Sequence, residues 1–195
     1  AADGVSVTAD AVAAVTAQLD VDLTTTAADT LVIAAFTQND QTNGTDTQPY
    51  PVGQRISHGD SGSSFTSTGY VQVPEPSGPT TYTWTIPSAE ACDAILVGFA
   101  SAGEIATDPI LVLNSDQVYD NDSSTGVVVS TLSNFEVMAD ANGKLVVTVG
   151  AENAETISSV TYGGVALTEA ANTGTTRIMG VYYLDDPTAG TADIV

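Results

Sequence analysis

The chain has 195 residues, 43% of them hydrophobic, with 24 Asp and Glu against 3 Lys and Arg and a formal net charge of −21. That length can bury a real core in one large or two small domains. Arg55, Lys144 and Arg177 cannot form a basic patch, which excludes nucleic acid and anionic membrane surfaces as partners. No apolar segment approaches the roughly 20 residues that span a bilayer, so membrane insertion is excluded too.

Charged residues make only 14% of the chain, so its surface must be built mainly from Thr, Ser, Asn, Gln and Gly. Cys92 is the only cysteine, which rules out an intrachain disulfide and a thiolate metal cluster. In the apolar run "ACDAILVGFA" it reads as a small buried hydrophobe. The Ala-Ala-Asp start without methionine suits a mature secreted product cut after a small-residue signal site.

In chain order, "GVSVTADAVAAVTAQL" (4–19) alternates apolar residues at Val5, Val7, Ala9, Ala11, Ala13 and Val15. Its second part, 9–19, also has the alanine content of a helix, so helix and extended arm both stay open. From there short period-two or wholly apolar segments follow to the end of the chain: 18–25, 30–37, 69–73, 80–86, 93–100, 110–114, 126–132, 144–151, 157–164, 177–184 and 191–195. Each is rich in Val, Ile, Thr and Tyr and bounded by Gly, Pro, Asn or Asp, which predicts β-strands and an all-β sandwich.

The segment "RISHGDSGSSFTS" (55–67) contains Gly59-Asp60-Ser61-Gly62, the signature around a trypsin-like nucleophile, next to the only histidine, His58. A catalytic triad needs a base brought to Ser Oγ and a third group to orient it. Here the histidine lies three residues before the serine, and Ser63 replaces the second glycine of the signature. A Gly/Ser turn is the expected reading. The lone pairs of carboxylates elsewhere have nothing distinctive around them, so a glycosidase is not expected either, and the chain is read as non-enzymatic.

Self-similarity supplies the organisation. Residues 52–84 lie over 163–195 at a constant offset of 111, with Gly53 on Gly164, Ile56 on Leu167, Gly69 on Gly180 and Pro76 on Pro187. Upstream, 28–40 matches 142–154 at an offset of 114. The chain therefore divides into an N-terminal arm (1–15), a first β-sandwich unit (16–112), an acidic linker (113–125) and a second β-sandwich unit (126–195). The small polar turn at Gly59–Gly62 falls opposite Ala170-Ala171-Asn172-Thr173.

Within the linker, "DQVYDNDSSTG" alternates Asp120, Asp122 and Ser124, with Asp116 just upstream. Oxygen ligands at every second position can wrap a hard cation, so a Ca²⁺ site and an ordinary solvated linker both stay open here, and Ca²⁺ is the one candidate cofactor. The spacing is not that of an EF-hand, because Thr125 and Thr131 stand where that loop needs Gly and Glu. A second acidic group, Glu75 with Asp185 and Asp186, occupies the equivalent turns of the two units. Tyr82 and Trp84, and Tyr182 with Tyr183, are candidates for stacking on sugar rings, or for filling the core between sheets.

The blocks "PSGPTTYTWTIPSAEACDAILVGFAS" (76–101), "SVTYGGVALT" (159–168) and "GVYYLDDPTAGTADI" (180–194) resemble a diffuse family of β-sandwich, jelly-roll-like repeats of secreted bacterial surface proteins and phage structural proteins. The resemblance implies two jelly-roll-like units and an extracellular, cell-surface or virion-surface location. It transfers no active-site residue.

The first unit continues past Trp84 into an apolar closing strand, whereas the second has no such strand after Val195. An incomplete sandwich exposes an unpaired edge. The expected function is a non-enzymatic structural subunit of an extracellular filament or surface assembly, a homopolymer built by strand complementation. In it the arm (Val5, Val7, Ala9, Ala11, Ala13, Val15) meets the incomplete end (Ile194, Val195) of the next subunit. Two alternatives stand beside this reading: the arm closing the second unit of its own chain, and a last strand lying beyond Val195. The alternative function is a carbohydrate-binding or adhesive module using Tyr82, Trp84, Tyr182 and Tyr183.

Overall fold

The computed structural model describes residues 6–25, 30–38, 45–47, 55–60, 65–73, 79–100, 129–138, 143–151, 156–174 and 178–195. They form strands β1 (Ser6–Thr24), β2 (Thr30–Gln38), β3 (Thr45–Thr47), β4 (Arg55–Asp60), β5 (Phe65–Val73), β6 (Pro79–Ala100), β7 (Leu132–Val137), β8 (Lys144–Ala151), β9 (Thr161–Tyr162), β10 (Val165–Ala166), β11 (Thr168–Gly174), β12 (Ile178–Asp185) and β13 (Gly190–Ile194). The protein is all-β and sandwich-like, with every pairing antiparallel. Three sheets run β1-β6-β2-β5-β4 with β3 on β6, β10-β9-β13-β7, and β11-β12-β8.

The alanine-rich stretch left open by the sequence is strand. β1 pairs with β6 from Ser6↔Ala100 to Thr24↔Pro79, with one shift in register between Thr16 and Gln18. There Ala17 faces Ile86, Pro87, Ser88 and Ala89 of β6. Pro87 has no N–H to give a ladder, so this irregularity is where a strand can hold it. The segments 80–86 and 93–100, expected as separate strands, are the two halves of β6.

Past the shift, Leu19, Val21 and Leu23 pack with Val32, Ala34 and Phe36 of β2 and Cys92, Ala94 and Leu96 of β6, although β1 pairs with β6 and not with β2. The ribbon therefore bends at Ala17 and lays its far half over one face of its own sheet. Burying each of those Leu and Val side chains contributes about 1.5–3 kcal/mol.

The opposite face of the same sheet carries Ile33, Ala35, Ile95, Val97 and Phe99, which pack on Met179 and Val181 of β12. β2 and β6 thus bury both faces, which is why "LVIAAF" and "AILVGF" read as unbroken apolar runs rather than alternating ones. β12 is likewise covered twice. Its other face, with Tyr182, joins Leu145 of β8 in a core shared with Phe135, Val160, Tyr162 and Ile194. The layers stack as folded ribbon, first sheet, β11-β12-β8, and β10-β9-β13-β7.

The sequence repeat is also a repeat of structure. The offsets place β2 on β8, β5 on β12 and the first half of β6 on β13, and the neighbour orders β2-β5-β4 and β8-β12-β11 are the same. The outer strand of each trio shifts register, between Arg55 and Ser57 in one and between Glu169 and Ala171 in the other.

Several expectations change. Ala170–Thr173, read as a turn, belong to β11, where Thr173 is buried and its hydroxyl accepts the Met179 N–H at 3.0 Å. Pairing with β12 overrides the turn propensity of these small polar residues. Gly59 and Asp60 end β4, with Asp60 opposite Phe65 of β5. Of the strand expected at 126–132, residues 126–128 lie outside the described residues, 129–131 are not strand with Val129 64% exposed, and Leu132 opens β7. Of 157–164, only Thr161–Tyr162 is strand, because Gly163 and Gly164 both adopt positive φ (55° and 80°) and reverse the chain into β10. Two such residues in a row make the hairpin turn whose twist matches its strands.

Gly180 of β12 leaves room for a ring. A Cβ there would lie 2.6 Å from Cε2 of Tyr182. Gly180→Ala should destabilise the protein by roughly 1–3 kcal/mol through overpacking, measured as a lowered urea midpoint; an unchanged midpoint would show that the ring is not held there.

Candidate functional site

Among the residues singled out by sequence, those of the triad-like motif are described only in part. His58 pairs with Ser67 across the β4–β5 ladder, and Ser61 lies outside the described residues. The calcium residues Asp116, Asp120, Asp122 and Ser124, and Glu75 of the second acidic group, also lie outside them. Among the described residues no group of three or more His, Cys, Asp or Glu is placed to hold a metal ion, and no helix is long and apolar enough to cross a membrane.

Of the aromatic candidates, Tyr82 and Trp84 sit on β6 opposite Val21 and Leu19; their rings lie outside the described side chains. Tyr182 is only 4% exposed and belongs to the core between β11-β12-β8 and β10-β9-β13-β7. It fills the core rather than presenting a face to a sugar. Its hydroxyl donates to Glu169 Oε2 at 3.3 Å.

Tyr183 points to the other face of β12, edge-on to Phe99 of β6 with ring centroids 5.6 Å apart. The Lys144 amine lies over both rings, 5.0 Å from Tyr183 and 5.6 Å from Phe99, and pairs with Asp185 directly across the β8–β12 ladder. Burial pushes this amine below the ordinary lysine value, and the nearby Asp186 carboxylate offsets that only in part. The cluster ties the start of β8 to β12 and to the sheet beneath. Asp186 itself takes a left-handed conformation (φ 45°), its N–H donating to the Gly143 carbonyl at 2.9 Å.

The expected assembly residues separate into two groups. Val7, Ala9, Ala11, Ala13 and Val15 lie on β1, in the first sheet beside β6 of the same chain; Val5 lies outside the described residues. The arm thus joins the first unit's sheet, and β1 runs unbroken through position 15, where the arm was expected to end. Ile194 and Val195 are at no open edge. β13 lies between β9 and β7, Ile194 is buried, and Val195 exchanges backbone hydrogen bonds with Thr161 at 2.8 and 3.0 Å.

Among the described residues the open edge of the second unit falls on β8. By the repeat β8 corresponds to β2, which has β5 on one side and β6 on the other, whereas β8 has β12 alone as a strand neighbour among the described residues. Val146 packs toward the first sheet, and Val147 and Val149 toward β10-β9-β13-β7. This edge lies between two cores and is the site the geometry singles out. Sequence reasoning placed the gap at the chain's last strand. The offset of 114, which sets β8 beneath β2, was the signal that locates it.

No protein-family model matches the chain, and neither the curated proteins nor the solved structures give a significant match.

Burial, the Glu169 charge and the hydrogen bond to it push the Tyr182 phenol up to about 12. The folded protein keeps this proton above pH 10, near where the unfolded chain loses it. Stability from this group is therefore complete below about pH 10 and falls as pH rises toward about 12. Tyr182→Phe should flatten that fall in urea melts; an equally steep fall in the variant would place the titrating group elsewhere.

Proposed function

We propose that the chain is a non-enzymatic structural subunit of an extracellular filament, or of a cell-surface or virion-surface assembly. It polymerises by β-strand complementation, one subunit supplying the strand that the second unit of the next lacks. The observation that carries this reading is the edge of β8, which among the described residues ends its sheet where the equivalent β2 continues into β6 and β1. A strand between two cores with one open side favours a strand-shaped partner, because the partner satisfies backbone groups and covers apolar area in one step.

The acidic surface fits such a role. On the far half of β1, Asp20 accepts hydrogen bonds from Thr83 at 2.7 Å and Gln18 at 3.0 and 3.1 Å, and Asp22 accepts one from Thr81 at 2.6 Å. These carboxylates are dressed by hydroxyl and amide donors instead of cations, which leaves a hydrated, negative exterior. Ca²⁺ held by Asp116, Asp120, Asp122 and Ser124 would bridge or screen it.

Negative-stain electron microscopy of the purified full chain, with and without millimolar Ca²⁺, tests the reading. Regular filaments or rings are expected, and Asp120→Ala with Asp122→Ala should remove any dependence on Ca²⁺. Monodisperse particles under both conditions would overturn it and turn attention to a binding module.

A further inference from the structure

The identity of the two surfaces that meet in such a polymer can be read from how the sheet edges are protected; the inference rests on the reading of the chain as a strand-completing subunit. An edge strand offers a row of backbone donors and acceptors, and proteins that stay apart blunt it with charge, a register break or shortness. Most edges among the described residues carry such a device. β4 has Arg55, Asp60 and a register shift. β11 has Glu169 and a shift. β7 has Glu136, Asn134 at positive φ (59°) and a shift against β13. β10 has two residues and β3 three.

Two edges have neither a register break nor shortness, and carry one charge each. The Ser6–Thr16 half of β1 pairs without interruption against Ala100–Glu90 of β6, and Asp10 is its only charged residue. β8 pairs without interruption against β12, and its only charge is Lys144, at its first position.

The layers place these edges on opposite flanks. β11 lies over β1 and β6, and β12 over β6 and β2. The order β11-β12-β8 therefore runs the same way across the molecule as β1-β6-β2, and β8 opens away from β1. Two edges facing opposite ways cannot satisfy each other within one chain, but they can between copies. Such a contact is heterologous and extends as a filament or closes as a ring. The side chains also match, since a strand beside β8 meets a core on each face and Ala11-Val12-Ala13-Ala14-Val15 is apolar at every position.

We propose that the outer edge of β1 over Ser6–Thr16 pairs with the outer edge of β8 in a second copy of this chain, while β1 stays on β6 of its own. The sheet of one subunit then continues into β8-β12-β11 of the next, without the exchange of a strand.

Cross-linking tests the pairing. The double variant Ala13→Cys with Val147→Cys, assembled and then oxidised, should give a ladder of covalent multimers on a non-reducing gel, and neither single variant should. Polymers without a ladder would overturn the pairing while leaving the polymer reading intact; no polymers from the unsubstituted chain would overturn both. A second variant separates pairing from exchange. Ala14 lies directly opposite the buried thiol of Cys92, so Ala14→Cys allows a disulfide that locks β1 to β6. Assembly should survive that oxidation. Assembly lost on oxidation and restored by reductant would show that β1 is donated, and would overturn the proposal.

Discussion

Everything in this protein follows from strands that are apolar on both faces. β2, the second half of β6 and β12 each bury side chains up and down, and a strand of that kind is stable only inside a stack. The far half of β1 folds over one side of the first sheet, β12 and its neighbours cover the other, and β10-β9-β13-β7 closes the pile. With both faces of the inner sheets used for packing, their lateral edges are what remain, among the described residues, for pairing with another strand.

The bend at Ala17 and the turn at Gly163-Gly164 are the local devices that make the stack. One lets a single ribbon serve two layers, with Pro87 placed where its missing N–H does least harm. The other returns the chain after a strand of two residues. The cluster of Lys144, Tyr183, Phe99 and Asp185 then fastens the start of β8 across the layers.

The all-β class was legible in the sequence because runs such as "LVIAAF" and "KLVVTVGA" are short, β-branched and bounded by turn residues. The repeat was legible too, and structure repeats it down to the shifted outer strands. What misled was propensity without context. "AANT" (170–173) looks like a turn and becomes part of an edge strand because β12 offers it a ladder. "ISSVTYGG" looks like a strand and is cut to two residues by glycines at positive φ. The open edge was expected at Ile194 and Val195, since a linear reading looks for a missing strand where the pattern stops. Among the described residues it falls on β8, because neighbours in a sheet are not neighbours in sequence. Tyr182 and Tyr183 show the same limit: alternation put them on opposite faces, but only the layers decide that one faces a core and the other a lysine.

A chain of net charge −21 repels its own copies unless contact is confined to surfaces with little charge, and screening by salt lowers the remaining barrier. The outer half of β1 and β8 are such surfaces. The most direct measurement is backbone amide hydrogen exchange, compared between dispersed and assembled protein. The account predicts that slowed exchange on assembly is concentrated in Ser6–Thr16 and Lys144–Ala151, with β4, β7 and β11 unchanged. Slowing at those other edges, or none on β8, would contradict it.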